Sequence, residues 1–238
     1  MPLATNSTQP PLSGDPGLFI GRVIEANGRA TVSRIESGRR RLHPGDPVFR
    51  GDVVETESRS WTTLALNDGT EITLASNGRM SIDRYFFDET NGSGVIDVWM
   101  LGGPFYITSG VITGHPNSII AVRTPNAILK LPPPGGVVAG KFIGQDEVSL
   151  FSLLADGFGQ TGHAIISTRS HKVMLNRANQ TTAVTDYDSC PTRPAILTRL
   201  DLFDLFGLFR DRGWRYSGLS TGRLRLVGGD SHSVPERV

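Results

Sequence analysis

TTLALNDGTEITLAS, residues 62–76, is the stretch that decides the fold class. Leu64 and Leu66 alternate with small or polar residues, and Ile72 and Leu74 resume the alternation after an Asn-Asp-Gly turn sequence. A period of two places all four apolar side chains on one face of a pair of strands. The Asp-Gly step supplies the positive φ angles of a tight turn. These residues therefore predict a β-hairpin with one buried face.

The sequence on either side shows the same pattern, in which short apolar runs are separated by turn residues. Asn27-Gly28 predicts a hairpin turn that joins residues 18–26 to residues 29–35. In residues 95–112, the sequence Gly102-Gly103-Pro104 interrupts an apolar run, which predicts two strands there and not one helix. Further strand candidates are residues 148–154, 163–168 and 172–175. Together these features predict an all-β fold, either a β-sandwich or a short β-solenoid, with a short C-terminal amphipathic helix.

The composition of successive segments predicts the organisation of the chain. Pro, Ser, Thr and Asn dominate the first residues, and three prolines with two glycines at 132–136 break the strand pattern. The predicted segments are a flexible leader at 1–17, a β domain at 18–131, additional strands that continue the domain at 132–190, an amphipathic helix at 191–212 and a tail at 213–238.

Composition and charge exclude several classes of partner and site. The 238 residues, 38% of them hydrophobic, are enough to bury a sizeable core. A formal net charge of +1 provides no global field that would attract nucleic acid or an anionic membrane. The single cysteine, Cys190, excludes an intrachain disulfide and a cysteine-rich zinc site. Neither a secretory signal nor an apolar run of about 18 residues is evident, so no membrane span is predicted and a cytoplasmic location stays open.

Two Gly-Asp pairs in the stretch GDPVFRGDVVET raise the question of a catalytic or metal site. Asp46 and Asp52 could act as paired carboxylates only if a turn brought them together, and apolar residues stand where a calcium loop needs oxygen ligands. A hydrolase that uses either carboxylate with His43 is the catalytic alternative. We favour a structural role, in which each carboxylate accepts a backbone N–H bond from two residues further on. Asp68-Gly69 is interpreted as a structural turn in the same way.

The other candidates for catalysis lack the required spacing. The five histidines are His43, His115, His163, His171 and His232. They show no H-E-x-x-H pattern, and only His163 and His171 could approach each other across a hairpin. Neither a nucleophile elbow nor a phosphate-binding glycine loop is present in the sequence. We therefore predict a protein that is not an enzyme, with no catalytic residue, no metal and no cofactor.

Several motifs follow one another in residues 18–131. They are the paired Gly-Asp segment ending at Thr56, the Asp68-Gly69-Thr70 hairpin followed by Asn77, LGGPFYITSG at 101–110, and AVRTPNAILKL with Thr124, Pro125 and Ala127. As an ordered set they resemble the FecR-like domain family. The chain departs from the family pattern at 132–136, where Pro-Pro-Pro-Gly-Gly replaces an Arg-Gly-Thr turn.

The resemblance implies a non-enzymatic bacterial β module of the periplasm or the cell exterior. The first functional hypothesis is a protein-binding or structural module, a scaffold within an envelope-associated or extracellular assembly. The alternative is a FecR-type regulator of iron-transport signalling that controls a sigma factor. The sequence argues against that alternative, because it shows neither an N-terminal sigma-binding helical domain nor a membrane span.

LDLFDLFGLF, residues 200–209, is the clearest helical stretch. Ile196, Leu200, Phe203 and Leu208 are spaced for one face of a helix. The helix either caps the β domain or acts as an amphipathic anchor on a protein partner or a second copy, and both interpretations can hold together. The predicted protein-contact residues are Leu200, Phe203, Phe206, Phe209, Arg212 and Trp214. The arginine excess of the C-terminal region is too small for nucleic-acid binding, so a protein or a homo-oligomer is the predicted partner.

Overall fold

The computed structural model describes residues 18–34, 38–144 and 148–206. Within these ranges the chain forms seventeen strands, one 3-10 turn (Val111–Gly114) and one helix, α1 (Arg199–Phe206). The strands are β1 (Phe19–Asn27), β2 (Ala30–Arg34), β3 (Gly38–Arg41), β4 (Pro47–Phe49), β5 (Val53–Thr56), β6 (Trp61–Leu66), β7 (Glu71–Leu74), β8 (Arg79–Phe87), β9 (Gly94–Thr108), β10 (Ile119–Thr124), β11 (Ala127–Leu131), β12 (Val137–Ile143), β13 (Val148–Leu154), β14 (Ala164–Ser167), β15 (Lys172–Leu175), β16 (Gln180–Val184) and β17 (Ala195–Ile196). The predicted leader at 1–17, the end of the predicted helix at 207–212 and the predicted tail at 213–238 lie outside the described residues.

The strands form two layers that share one strand. The first sheet has the order β4-β1-β6-β7-β9-β12-β13-β16-β17. The second sheet has the order β3-β2-β5-β8-β9-β10-β11-β14-β15. Neighbouring strands are antiparallel except for β9 and β10. Because inward side chains of both layers meet in one buried cluster, the prediction of an all-β sandwich is confirmed.

Strand β9 belongs to both layers. Its first half pairs with β8 and β10, and its second half pairs with β7 and β12. The change occurs at Gly103, whose φ of 74° favours glycine and whose added Cβ would lie 2.6 Å from the Cα of Gly78. The glycine pair in the sequence predicts two strands here, whereas the structure has one continuous strand with two halves in different sheets.

The core between the two layers contains the apolar face predicted for the hairpin of residues 62–76. Leu64 lies opposite Ile72 in the β6–β7 register, and both side chains are fully buried. Farther along the first sheet, Gly140 lies between Phe105 and Phe151 across three strands. A Cβ on Gly140 would lie 2.1 Å from the Phe105 ring, so only glycine allows the two rings to meet edge to face at 6.5 Å.

One local prediction is wrong because a turn sequence does not specify which strands pair. Asn27-Gly28 does not close a hairpin, since β1 pairs with β4 and β6 while β2 pairs with β3 and β5. Gly28 keeps the positive φ of 69° that the sequence indicates, but it turns the chain from one layer to the other. The arginines at 39–41 lie in the edge strand β3. Charged side chains on an edge strand oppose further strand pairing.

The C-terminal helix begins later in the chain than predicted. Ala195–Ile196 pairs with β16 as a strand, and the helix begins at Arg199. Prolines at 191 and 194 and a capping box at its start explain this late beginning. The Thr198 hydroxyl accepts a bond from the N–H of Asp201 at 3.2 Å, and the Asp201 carboxylate accepts one from the N–H of Thr198 at 2.9 Å.

Candidate functional site

The first Gly-Asp pair closes a turn. The N–H of Asp46 donates to the carbonyl of His43 at 3.1 Å, and Gly45 has a φ of 91°, as a type II turn requires at its third position. The carboxylate of Asp46 accepts bonds from the His43 N–H at 2.9 Å and from the Arg40 guanidinium at 2.7 Å. Partial burial alone would raise the pKa of Asp46, but these two partners hold it below its ordinary value.

The second Gly-Asp pair repeats the same construction with deeper burial. The N–H of Asp52 donates to the carbonyl of Phe49 at 3.1 Å, and Gly51 has a φ of 82°. The carboxylate accepts the Phe49 N–H at 3.0 Å and a two-pronged Arg34 guanidinium at 2.7 and 2.8 Å. The guanidinium also lies 4.0 Å from the centre of the Phe49 ring. The Asp52 side chain is only 1% exposed.

The structure gives the two carboxylates different arginines, so they do not form a paired acid–base site. In both turns the bonded N–H lies three residues before the aspartate and not two residues after it, which corrects the direction of the predicted cap. His43 lies beside Asp46, with its ring Nδ1 3.8 Å from the carboxylate. That arrangement supports the turn, and the structural role of both residues stays a prediction for mutagenesis.

A third turn carries a buried carboxylate of a different kind. The Asp68 carboxylate accepts the Thr70 hydroxyl at 2.6 Å, and the Asp68 N–H donates to the Tyr85 hydroxyl at 3.0 Å. Gly69 between them has a φ of 81°. Burial raises the pKa of Asp68 although its hydrogen bonds lower it, and burial together with Asp68 raises the pKa of Tyr85. This predicted turn residue thus holds the loop through neutral hydroxyl groups.

Two further motif segments lie at turns. Thr124 and Asn126 lie at the β10–β11 turn, where both contact the hydroxyl of Ser149 on the opposite sheet. The Asn126 amide donates to the carbonyl of Val184 at 2.9 Å. Asn77 has a φ of 56°, the left-handed conformation that asparagine tolerates. These motif residues therefore form turns and a link between the layers.

The C-terminal segment covers one part of the first sheet. Leu202 and Phe206, one helical turn apart, are 4% and 2% exposed. They pack with outward side chains of β12, β13 and β16, namely Val137, Ala139, Leu150, Leu154 and Ala183. Lys141 donates from Nζ to the carbonyl of Leu205 at 3.1 Å, and burial lowers its pKa. This bond places a cation at the C-terminal turn of the helix, where the dipole favours it.

The predicted contact residues are divided between two sides of the helix. Phe206 is buried against the sheet, Phe203 is half-buried, and Leu200 is 76% exposed. Ile196, just before the helix, is 61% exposed. Phe209, Arg212 and Trp214 lie outside the described residues. The buried side is that of Leu202 and Phe206, so the predicted face through Leu200 and Phe203 is not the one that packs on the sheet.

Other candidates from the sequence are dispersed. His163 lies at the start of β14, where its N–H donates to Gly135, while His171 lies beyond the other end of that strand. They do not approach each other. Within residues 18–34, 38–144 and 148–206, no group of three His, Cys, Asp or Glu side chains could hold a metal ion. No helix in these ranges is long and apolar enough to cross a bilayer.

Sequence reasoning missed two kinds of surface feature, exposed phenylalanine side chains and an open cleft. Phe158, in the turn after β13, is 91% exposed, and Phe86 on the outer side of β8 is 53% exposed. The Asp-Gly-Phe-Gly sequence at 156–159 signals a turn, but a turn signal does not reveal that the ring faces solvent. The other feature is an open cleft of about 470 Å³ beside Phe142 and Tyr187. It depends on residues far apart in the sequence, and no local pattern indicates it.

Comparison with known proteins gives limited information. No protein-family model and no curated protein matches the chain. Two solved structures of candidate anti-sigma factors from Parabacteroides distasonis ATCC 8503 are similar at 17% identity. The first covers 63% of this chain and 63% of its own length with a TM-score of 0.47, and the second covers 59% and 57% with a TM-score of 0.42. A cell surface anchoring domain is 32% identical over 27% of this chain and 86% of its own, with a TM-score of 0.26.

The chain thus spans less than two thirds of the two anti-sigma structures. Similarities of this size assign neither a family nor a function. What the described residues do establish is an all-β sandwich with a helix packed on one outer face and an apolar edge left in solvent.

Proposed function

We propose that this chain is a non-catalytic β module that works through contact with another protein. One observation carries the proposal: the C-terminal segment packs on the sandwich through Leu202 and Phe206 while it presents Ile196 and Leu200 to solvent. A segment that is already anchored presents its outward side chains in a fixed position, so a partner loses less conformational freedom on binding.

The chemistry of the exposed segment fits a protein interface. Ile196 and Leu200 offer two large apolar side chains, and Arg193 and Arg199 beside them are also exposed. Apolar centres with arginine nearby are typical of protein interfaces. The aspartates of the Gly-Asp turns, in contrast, accept hydrogen bonds from arginine and from backbone N–H groups. Their arrangement supports turns and provides no positioned general base.

The resemblance of residues 18–131 to FecR-like domains extends the proposal to a compartment and a class. A FecR-like module would act in the periplasm or outside the cell, as part of an envelope-associated assembly. Fractionation of the source cells tests this part separately. Recovery of the protein in the periplasmic or surface fraction supports it, and recovery only with cytoplasmic markers contradicts it.

Site-specific photo-cross-linking tests the contact itself. A photoreactive residue is placed at position 196 or 200, and matched controls place it at Arg84 and Lys130, which are exposed on strands of the second sheet. In the source cells we expect one main protein adduct from positions 196 and 200 and little or none from the controls. Equal adduct yields from all four positions would contradict the proposal.

A further inference from the structure

The apolar contacts of α1 form a cluster that is separate from the core between the two layers. Successive side chains of a strand point to opposite faces of the sheet. On β12, β13 and β16 the inward side chains Val138, Leu153 and Val184 belong to the interlayer core. The outward ones, such as Val137 and Ala183, pack only with the cluster of Leu202 and Phe206. Release of α1 would therefore leave the inward packing of these strands in place.

Few contacts hold the C-terminal segment, residues 195–206, on the sheet. Leu202 and Phe206 are the buried side chains of α1, and Lys141 donates to the carbonyl of Leu205 at 3.1 Å. Strand β17 adds a two-residue pairing with β16, and the N–H of Leu197 donates to Asn179 at 3.0 Å. Regions with few buried apolar contacts are the ones that open below the free energy of global unfolding.

The chain before this segment is fixed at Thr192. Its N–H donates to the carbonyl of Ala183 at 2.9 Å, and its hydroxyl accepts the N–H of Ala183 at 2.9 Å. Its carbonyl accepts the hydroxyl of Thr182 at 2.7 Å. Arg193 and Pro194 follow without regular secondary structure, and a proline has no N–H to donate. The joint between the fixed chain and the C-terminal segment thus lies at residues 193–194.

We propose that the C-terminal segment opens and closes as one unit on an intact sandwich, and that only its closed form binds the partner. The second half of this inference rests on the proposed function, because Ile196 and Leu200 both lie in the segment. A partner that binds only the closed form stabilises it, and its apparent affinity falls with the closed fraction. Packing of Phe206 on the sheet then controls a contact that Phe206 itself does not make.

Native-state hydrogen exchange of the full chain tests the opening. The N–H groups of Leu197 and Leu202 are both hydrogen-bonded, and β6 is paired on both edges. After correction for intrinsic rates, we expect Leu197 and Leu202 to exchange at least about 100-fold faster than the amides of β6. Low urea should change their rates little, because opening exposes little surface, and should raise the rates of β6 steeply. Equal rates with equal urea dependence overturn the inference.

Two substitutions separate opening of the segment from global unfolding. Phe206→Ala should raise the exchange rates of Leu197 and Leu202 together, by up to about 100-fold. Ile72→Val is the control in the interlayer core. It should raise the rates of β6 about fivefold and leave Leu197 and Leu202 unchanged. The inference is overturned if Ile72→Val accelerates the segment in step with β6, or if Leu197 does not respond to Phe206→Ala.

Photo-cross-linking from position 196 tests the link to binding. Phe206→Ala should lower the adduct yield and Ile72→Val should not, because only the first change reduces the closed fraction. An unchanged yield in Phe206→Ala, together with faster exchange of the segment, overturns the claim that only the closed form binds. The absence of any adduct from the wild type contradicts the proposed function instead, and the exchange rates still decide whether the segment opens.

Discussion

The two ends of the described chain complete the sandwich by different means. Early in the chain, the turns before β4 and β5 are closed by Asp46 and Asp52, each with its own arginine. Late in the chain, an apolar outer surface on β12, β13 and β16 is covered by Leu202 and Phe206 of α1. The two regions should therefore lose stability for different reasons. The turns at Asp46 and Asp52 depend on charged hydrogen bonds, and the packing of α1 on the first sheet depends on buried apolar side chains.

The largest expected loss of stability follows from a change in the packing of α1 on the first sheet. Phe206→Ala should lower the free energy of unfolding by about 3 kcal/mol, because a buried phenylalanine leaves a cavity when it is truncated. Urea unfolding measures the loss. Phe203→Ala, at a half-buried position on the same helix, is the matched control and should cost clearly less. Equal losses at the two positions would mean that the helix does not pack through the Leu202–Phe206 side.

At the turns of Asp46 and Asp52, the loss of stability on substitution should increase with the burial of the carboxylate. Asp52→Asn should cost about 2 kcal/mol and Asp46→Asn about 1 kcal/mol, because a charged hydrogen-bond partner is lost from a fully buried site in the first case and from a partly exposed site in the second. The same urea experiment gives both numbers. If Asp46→Asn were the more damaging change, the burial argument for these turns would be wrong.

The stability contributions of the Asp46 turn and the Asp68 turn should change with pH in opposite directions. Asp46 bonds to an arginine, whereas the Asp68 turn bonds to the hydroxyl groups of Thr70 and Tyr85. The lowered pKa of Asp46 gives stability that is present above its ordinary value of 3.8 and is lost as the pH falls through the folded-state pKa. The raised pKa of Asp68 gives stability that is present below 3.8 and is lost as the pH rises through its folded-state pKa. The difference in unfolding free energy between wild type and Asp46→Asn should shrink on acidification from pH 7 to pH 3. The difference for Asp68→Asn should grow, so slopes of the same sign would contradict this assignment.

The smallest expected effect on stability is at the outward side of the C-terminal segment. Ile196→Ser and Leu200→Ser should each change the free energy of unfolding by less than about 0.5 kcal/mol, because both side chains are largely in solvent. Thermal unfolding followed by circular dichroism is sufficient. A loss of 1 kcal/mol or more would show that these residues belong to the core.

The same contrast explains what could be predicted from the sequence. The β6–β7 hairpin is correct because its alternation and its Asn-Asp-Gly turn are contained within fifteen residues, 62–76. Strands β14 and β15 follow their predicted ranges closely for the same reason. Asn27-Gly28 gives the right backbone conformation but the wrong pairing, because the partners of β1 are β4 and β6, farther along the chain.

The candidate site shows the same limit. The helix and its apolar content are local properties, and the Thr198–Asp201 capping box could have placed its start. Which side of the helix is buried depends on outward residues of β12, β13 and β16, up to about seventy residues away in the sequence, so helical spacing alone could not show which side packs on the sheet. Phe158 and the cleft at Tyr187 could not be recognised, because exposure and cavity shape are properties of the assembled layers.

The most direct test of the proposed contact combines two readouts on one preparation. A photoreactive residue at position 196 reports the partner adduct, with and without Leu200→Ser, and the unfolding midpoint is recorded for both proteins. We predict that Leu200→Ser abolishes the adduct and leaves the midpoint within about one degree. An adduct that persists, or a midpoint that falls together with the adduct, would contradict a helix that packs through Phe206 and binds through Leu200.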